Sequence, residues 1–77
     1  MEAQQALSQI EAGDTITVND MDTLLTVTDT MFGGEMVELE GPQGGEKSIV
    51  QNVNNPEQIS FMVRDSRESW VSEIHFQ

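Results

Sequence analysis

At 77 residues the chain makes one domain of 1–77, and its 14 acidic residues against one lysine and two arginines give a formal net charge of −11. A domain this small buries only about 60% of the surface of its unfolded chain, so its core is modest, and such a charge repels nucleic acid and anionic membrane at ordinary ionic strength. There is no cysteine, which excludes a disulfide framework and a thiolate metal site.

The first residues, Met1 to Ala6, show no basic region leading into an apolar one, and no apolar run nears the about 18 residues that a membrane span needs. A cytoplasmic protein without membrane contact is expected. Glu2 to Ala12 is the one helical candidate, with Ala3, Ala6, Leu7 and Ile10 on one face and Gly13 placed to end it. So short a helix forms only if its apolar stripe docks on a sheet, and residues 1–12 otherwise stay a tail.

Residues 14–76 read as a barrel of short strands. Asp14 to Asn19 turns Ile16 and Val18 inward, and Asn19 to Asp22 reverses the chain. The two aspartates Asp20 and Asp22 resemble the start of a calcium loop, but the further oxygen ligands, the central glycine and the closing glutamate are missing, so a solvated turn is expected and no metal. Thr23 to Thr30 and Glu35 to Gly41 form a hairpin over Met31-Phe32-Gly33-Gly34, where the glycines allow positive φ. Lys47 to Val50 follows a four-residue turn with Pro42 second and Gly44 fourth. Leu25, Val27, Val37 and Leu39 alternate with mostly polar neighbours, so one face of this three-stranded meander is apolar.

An amide-rich loop, Gln51 to Pro56, comes next, and Asn55-Pro56-Glu57-Gln58 fits a single 3₁₀ turn with Asn55 as N-cap. Ser60 to Arg64 and Trp70 to Phe76 are the last strands, joined by a hairpin loop over Asp65 to Ser69. The expected core is Ile16, Val18, Leu25, Val27, Val37, Leu39, Ile49, Ile59, Phe61, Val63, Trp70, Ile74 and Phe76, each worth roughly 1.5–3 kcal/mol when buried. Short strands with turn signals between them give the fold class: mainly β, a small antiparallel barrel, SH3-like, of five or six strands with a short N-terminal helix. An OB-like barrel fits less well, because it wants longer strands and a helix between the third and fourth.

The stretches Gly13 to Val18, Leu24 to Thr28 and Val37 to Gly45 follow one another in an order that resembles small acidic uncharacterised proteins of haloarchaea, which carry a strand ending in a Leu-Glu-Gly-Pro-like turn followed by glycine. The resemblance covers about half of the chain. It implies a halophilic origin and carries no activity and no site residue. Acids dispersed among alternating apolar residues agree with a folded, halophilic surface, since at about 1 M salt the Debye length falls to roughly 3 Å and self-repulsion is largely cancelled.

No catalytic constellation assembles in the pattern. His75 is out of phase with Ile74 and Phe76 and has no nucleophile placed to work with it. Glu38 and Glu40 share a strand face, as a carboxylate pair must, but acids are everywhere in this chain. Gly41 to Ser48 ends in Lys-Ser like a phosphate loop, yet the spacing is wrong and a strand follows, so a turn is expected. No enzyme, no cofactor and no small-molecule substrate are therefore expected.

Leu24, Met36, Met62 and Val71 are apolar in the outward phase, with Met21, Met31 and Phe32 in nearby turns. Either the N-terminal helix covers this face, or part of it is an exposed patch whose methionines adapt to a partner. The second alternative names Met31, Phe32, Met36, Met62, Arg64 and Arg67 as partner-binding residues of a non-enzymatic protein-interaction module, binding a protein partner or a second copy. A nucleic-acid-binding small barrel is the alternative function, disfavoured because only Lys47, Arg64 and Arg67 are cationic.

Overall fold

The computed structural model describes residues 1–77. It contains one short helix, α1 (Ala3–Leu7), and seven strands: β1 (Thr15–Val18), β2 (Leu25–Met31), β3 (Met36–Glu40), β4 (Lys47–Asn52), β5 (Asn55–Val63), β6 (Ser66–Trp70) and β7 (Ile74–Phe76). All strand pairs are antiparallel, in the order β6-β5-β4-β3-β2-β1-β7. The fold is thus mainly β, with seven strands where the sequence pattern suggested five or six.

The connection between the two edge strands forces the sheet to curl. Only Val71, Ser72 and Glu73 separate β6 from β7, and the chain from Trp70 to Ile74 spans at most about 14 Å. A flat sheet of seven strands would hold its edges about 29 Å apart, at about 4.8 Å per strand. The sheet therefore rolls into a half-barrel. Asn19 fastens the seam: its side-chain amide donates to the Trp70 carbonyl at 2.8 Å, and its Oδ1 accepts from the Ser72 N–H at 2.8 Å, the Ser72 hydroxyl at 3.1 Å and the Glu73 N–H at 3.2 Å. Its backbone sits in the left-handed region at φ 54°, which asparagine tolerates better than most L-residues. The N-terminus adds two bonds to the same segment, from the Ala3 N–H to the Ser72 carbonyl and from the Ile74 N–H to the Met1 carbonyl.

One continuous core fills the concave side. It joins Ile16, Val18, Leu25, Val27, Val37, Leu39, Ile49, Ile59, Phe61 and Ile74 with Val71 and with Ala3, Ala6, Leu7 and Ile10 from the N-terminal segment. Ten of the thirteen expected core residues are fully buried in this way, and Val63 packs against the cluster. The helix thus lies on the core side and does not cover the outward methionine face. It is also shorter than Glu2 to Ala12. Glu2 caps it, accepting from the Gln4 N–H at 2.6 Å, and the Asp14 carboxylate takes the Glu11 N–H at 2.9 Å. That bond turns the chain back towards β1 and lets Ile10 enter the core without helical geometry.

Two expected core residues are exposed instead. Phe76 keeps the inward phase, opposite Ile16, but lies at the end of an edge strand and stays 38% exposed. Trp70 is 51% exposed because its strand is built differently. The hairpin between β5 and β6 closes over Arg64-Asp65 alone, with Arg64 at φ 56°, so 66–69 is strand and not loop. Phe61 then pairs with Ser69 and Met62 with Arg67, leaving Glu68 as an extra residue. This bulge turns Ser69 inward and Trp70 outward, opposite Ser60. Val71 is the residue that enters the core.

The expected 3₁₀ turn at Asn55 to Gln58 is absent. Asn52 pairs with Asn55 across a two-residue turn, the Asn52 side chain accepts from the Asn54 N–H at 2.9 Å, and Pro56 lies in β5 where the register shifts, a position proline tolerates. A 3₁₀ turn occurs at Phe32–Gly34. The Gly41 to Gly44 turn closes as expected, with the Gly44 N–H on the Gly41 carbonyl at 3.1 Å.

Candidate functional site

Residues directly opposite each other in antiparallel strands share a face, so the pairing places the outward side chains in rows. One row runs Met31, Met36, Val50, Ser60, Trp70 across β2 to β6; the next runs Asp29, Glu38, Ser48, Met62, Arg67. Of the six residues expected to bind a partner, Met31, Phe32 and Met36 gather at the β2–β3 hairpin. Met62 and Arg67 form a cross-strand pair on β5 and β6. Arg64 lies in the β5–β6 turn, where its N–H donates to the Glu46 carbonyl at 2.9 Å, and it shares with Met36 the lining of the groove over the β3–β4 connection.

Phe32 is the most exposed large apolar side chain, at 75%. Its backbone sits at φ 55°, followed by Gly33 at 66° and Gly34 at 97°, so three successive residues take the left-handed region. Gly34 is buried, and a Cβ there would collide with the Leu7 carbonyl at the end of α1. The helix thereby pins the turn, and the turn holds Phe32 out.

Trp70 joins the outward face beside Arg67, whose guanidinium carbon lies 4.0 Å from the ring centroid. Such a cation–π contact is worth about 0.5–1 kcal/mol at an exposed site. The two side chains border a depression of about 260 Å³ completed by Val50, Asn52, Gln58 and Ser60. Sequence periodicity missed Trp70 as a surface residue, because Ser66 to Ser69 contains nothing apolar to mark a strand or its bulge. A larger groove of about 490 Å³ lies over the β3–β4 connection, where Glu38, Glu40, Glu46 and Asp65 accompany Lys47 and Arg64.

The three cations do not form one patch. Lys47 is in the inward phase, between Leu39 and Val63, and its ammonium donates to the Gly44 carbonyl at 2.9 Å, which closes the glycine turn and leaves no phosphate loop. No lysine or arginine lies within 4.0 Å of a carboxylate; the only ion-pair geometry is His75 to Glu73 at 3.7 Å, charged only when the imidazole is protonated. No three of the acids and His75 converge as a metal site would require. No helix is long and apolar enough to cross a membrane.

What the fold and face define is a small curled antiparallel half-barrel with an outward face of methionines, one phenylalanine and one tryptophan. No protein-family model, no curated protein and no solved structure matches this chain.

Proposed function

We propose that the chain is a non-enzymatic protein-interaction module of a halophilic cytoplasm, an SH3-like small barrel that docks a protein partner through the β2–β3 hairpin and the outward row leading from it. The conformation of Phe32 carries this reading. A bulky residue at positive φ costs on the order of 1–2 kcal/mol, and a side chain 75% exposed returns almost none of it through burial. Folding alone would place glycine or asparagine at such a position; a partner with an apolar recess gives the phenylalanine a use.

The β5–β6 bulge supports the same reading. It sets the chain's only tryptophan outside and Ser69 inside, where the serine hydroxyl is buried without a hydrogen-bond partner, a loss of about 1–3 kcal/mol. Both features lower stability and enlarge an outward aromatic surface. The nucleic-acid alternative has less support, since Lys47 is held in its turn and the remaining two arginines stand in different surroundings.

Substituting Phe32→Asn is expected to act in opposite directions on fold and function. Relief of the backbone should raise the melting temperature by about 4–8 °C per kcal/mol gained, while recovery of the partner from a high-salt lysate should fall at least about tenfold, as for a hot-spot aromatic. Unchanged recovery would remove the reading. Sedimentation of the same variant tells whether the partner is a second copy.

The halophilic part of the proposal rests on twelve exposed and two half-buried acids, none of them buried, with no lysine or arginine paired to any of them. Unfolding midpoints should rise from dilute buffer to molar salt, through screening of like charges and stronger effective burial. Midpoints that stay level or fall would leave an ordinary acidic domain.

A further inference from the structure

We infer that the depression beside Trp70 binds the C-terminal carboxylate of a partner polypeptide ending in an apolar residue. This deepens the interaction reading and names what the partner presents at the β6 end of the outward face. The hydrogen-bonding capacity left in the depression points to that group. Asn52 keeps one free N–H: its amide nitrogen donates its other hydrogen to the Gln58 Oε1 at 3.2 Å, and its own oxygen accepts from the Asn54 N–H. Gln58 thus has its acceptor occupied and its NH₂ free. The Ser60 hydroxyl and the Arg67 guanidinium hydrogen-bond to nothing in the protein, and Arg67 has no carboxylate within 4.0 Å. What remains is almost entirely donors.

An ionised carboxylate is the complement of such a set, since it only accepts and its two oxygens match the guanidinium fork. The indole of Trp70 supplies a flat apolar wall for the side chain next to that carboxylate. Arg67 is already held over the ring, so less side-chain freedom is lost on binding. A volume of about 260 Å³ is below the about 300–1,000 Å³ of cofactor and drug sites and suits one terminal residue. Charge separates this depression from the larger groove. The groove has four carboxylates in its wall, whereas this one has none and a single cation. On a chain of net charge −11 a single carboxylate finds an unpaired arginine here, while a polyphosphate backbone meets repulsion on all sides.

Trp70 is the only tryptophan and there is no tyrosine, so its emission reports on this site alone. The full chain in molar salt would be titrated with N-acetyl-phenylalanine, with N-acetyl-phenylalaninamide and with an oligothymidylate. Expected is a saturable change in Trp70 emission with the free acid at a Kd of about 1–10 mM, at least tenfold weaker with the amide. Arg67→Gln should abolish it while leaving the far-UV circular dichroism unchanged and lowering the melting temperature by no more than about 8 °C, the loss of the contact with the Trp70 ring, and amide shifts in NMR should centre on Gln58, Ser60, Arg67 and Trp70. Equal binding of acid and amide, indifference to Arg67→Gln, or a response to the oligonucleotide alone would overturn the inference. No response to the acid, with partner recovery still dependent on Phe32, would overturn this inference and leave the interaction reading standing. Loss of neither recovery nor acid binding in Phe32→Asn would do the reverse.

Discussion

Deletion of residues 1–12 is expected to unfold the domain. The segment contributes Ala3, Ala6, Leu7 and Ile10 to the single core, and burial of Leu7 and Ile10 alone is worth about 3–6 kcal/mol. A domain of 77 residues holds only about 4–12 kcal/mol in total. The deletion also removes the two backbone bonds that the N-terminus makes to Ser72 and Ile74 at the seam. Thermal melts by circular dichroism should show no cooperative transition, or aggregation at low temperature. The point substitution Leu7→Ala, at about 2–5 kcal/mol, tests the same contact without removing chain. By contrast, charged residues at Met36 and Met62 should leave the fold intact, because those side chains stand on the opposite face from α1. A deletion that melts like the intact chain would mean that the helix is not part of the core.

Asn19→Ala is expected to cost about 2–4 kcal/mol, through loss of the four side-chain hydrogen bonds and of asparagine's tolerance for its backbone angle. The side-chain amide holds the Trp70 carbonyl and accepts from Ser72 and Glu73. Each such bond contributes about 0.5–1.5 kcal/mol net, and partial exposure of the site favours the lower end. Alanine also pays more than asparagine to hold φ 54°, by up to about 1 kcal/mol. Asn19→Gly keeps the backbone and removes only the clamp, so the difference between the two variants isolates the conformational part. Because the seam ends at Trp70, its emission should shift in both variants before the global transition. Near-native midpoints for both would show that the bonds from Met1 and Ala3 to Ile74 and Ser72 hold the seam by themselves.

The face proposed to dock a partner and the core that carries stability meet at two places, Phe32 and the Glu68 bulge. At each, local stability is lower than the same backbone could have. Gly34 against Leu7 ties the exposed phenylalanine to the helix. Substitutions in α1 should therefore lower partner binding and stability together, whereas Phe32→Asn should lower binding while raising stability.

The β class of the fold, the helix with its apolar stripe, the hairpin glycines, the Gly41 to Gly44 turn and ten buried core positions were legible in the chain alone, because each follows from spacing over a few residues. Alternation marks a half-buried strand wherever apolar residues are present to alternate, as from Leu25 to Val27 and from Val37 to Leu39. Met36 and Met62 were legible as outward residues for the same reason, and Met31 and Phe32 as residues of the hairpin turn, whereas Arg67 reads as loop in the pattern and is strand in the structure. Tertiary structure alone decided the rest. Ser66 to Ser69 is a strand only because β5 offers it a ladder, and the bulge at Glu68 that exposes Trp70 leaves no trace in the period. The seam depends on pairing Asn19 with residues more than fifty positions away, which no local pattern encodes. The helix docks on the concave side, away from the methionines, because rolling the sheet opens the core at that end, and that roll is set by a three-residue crossing between the two edges.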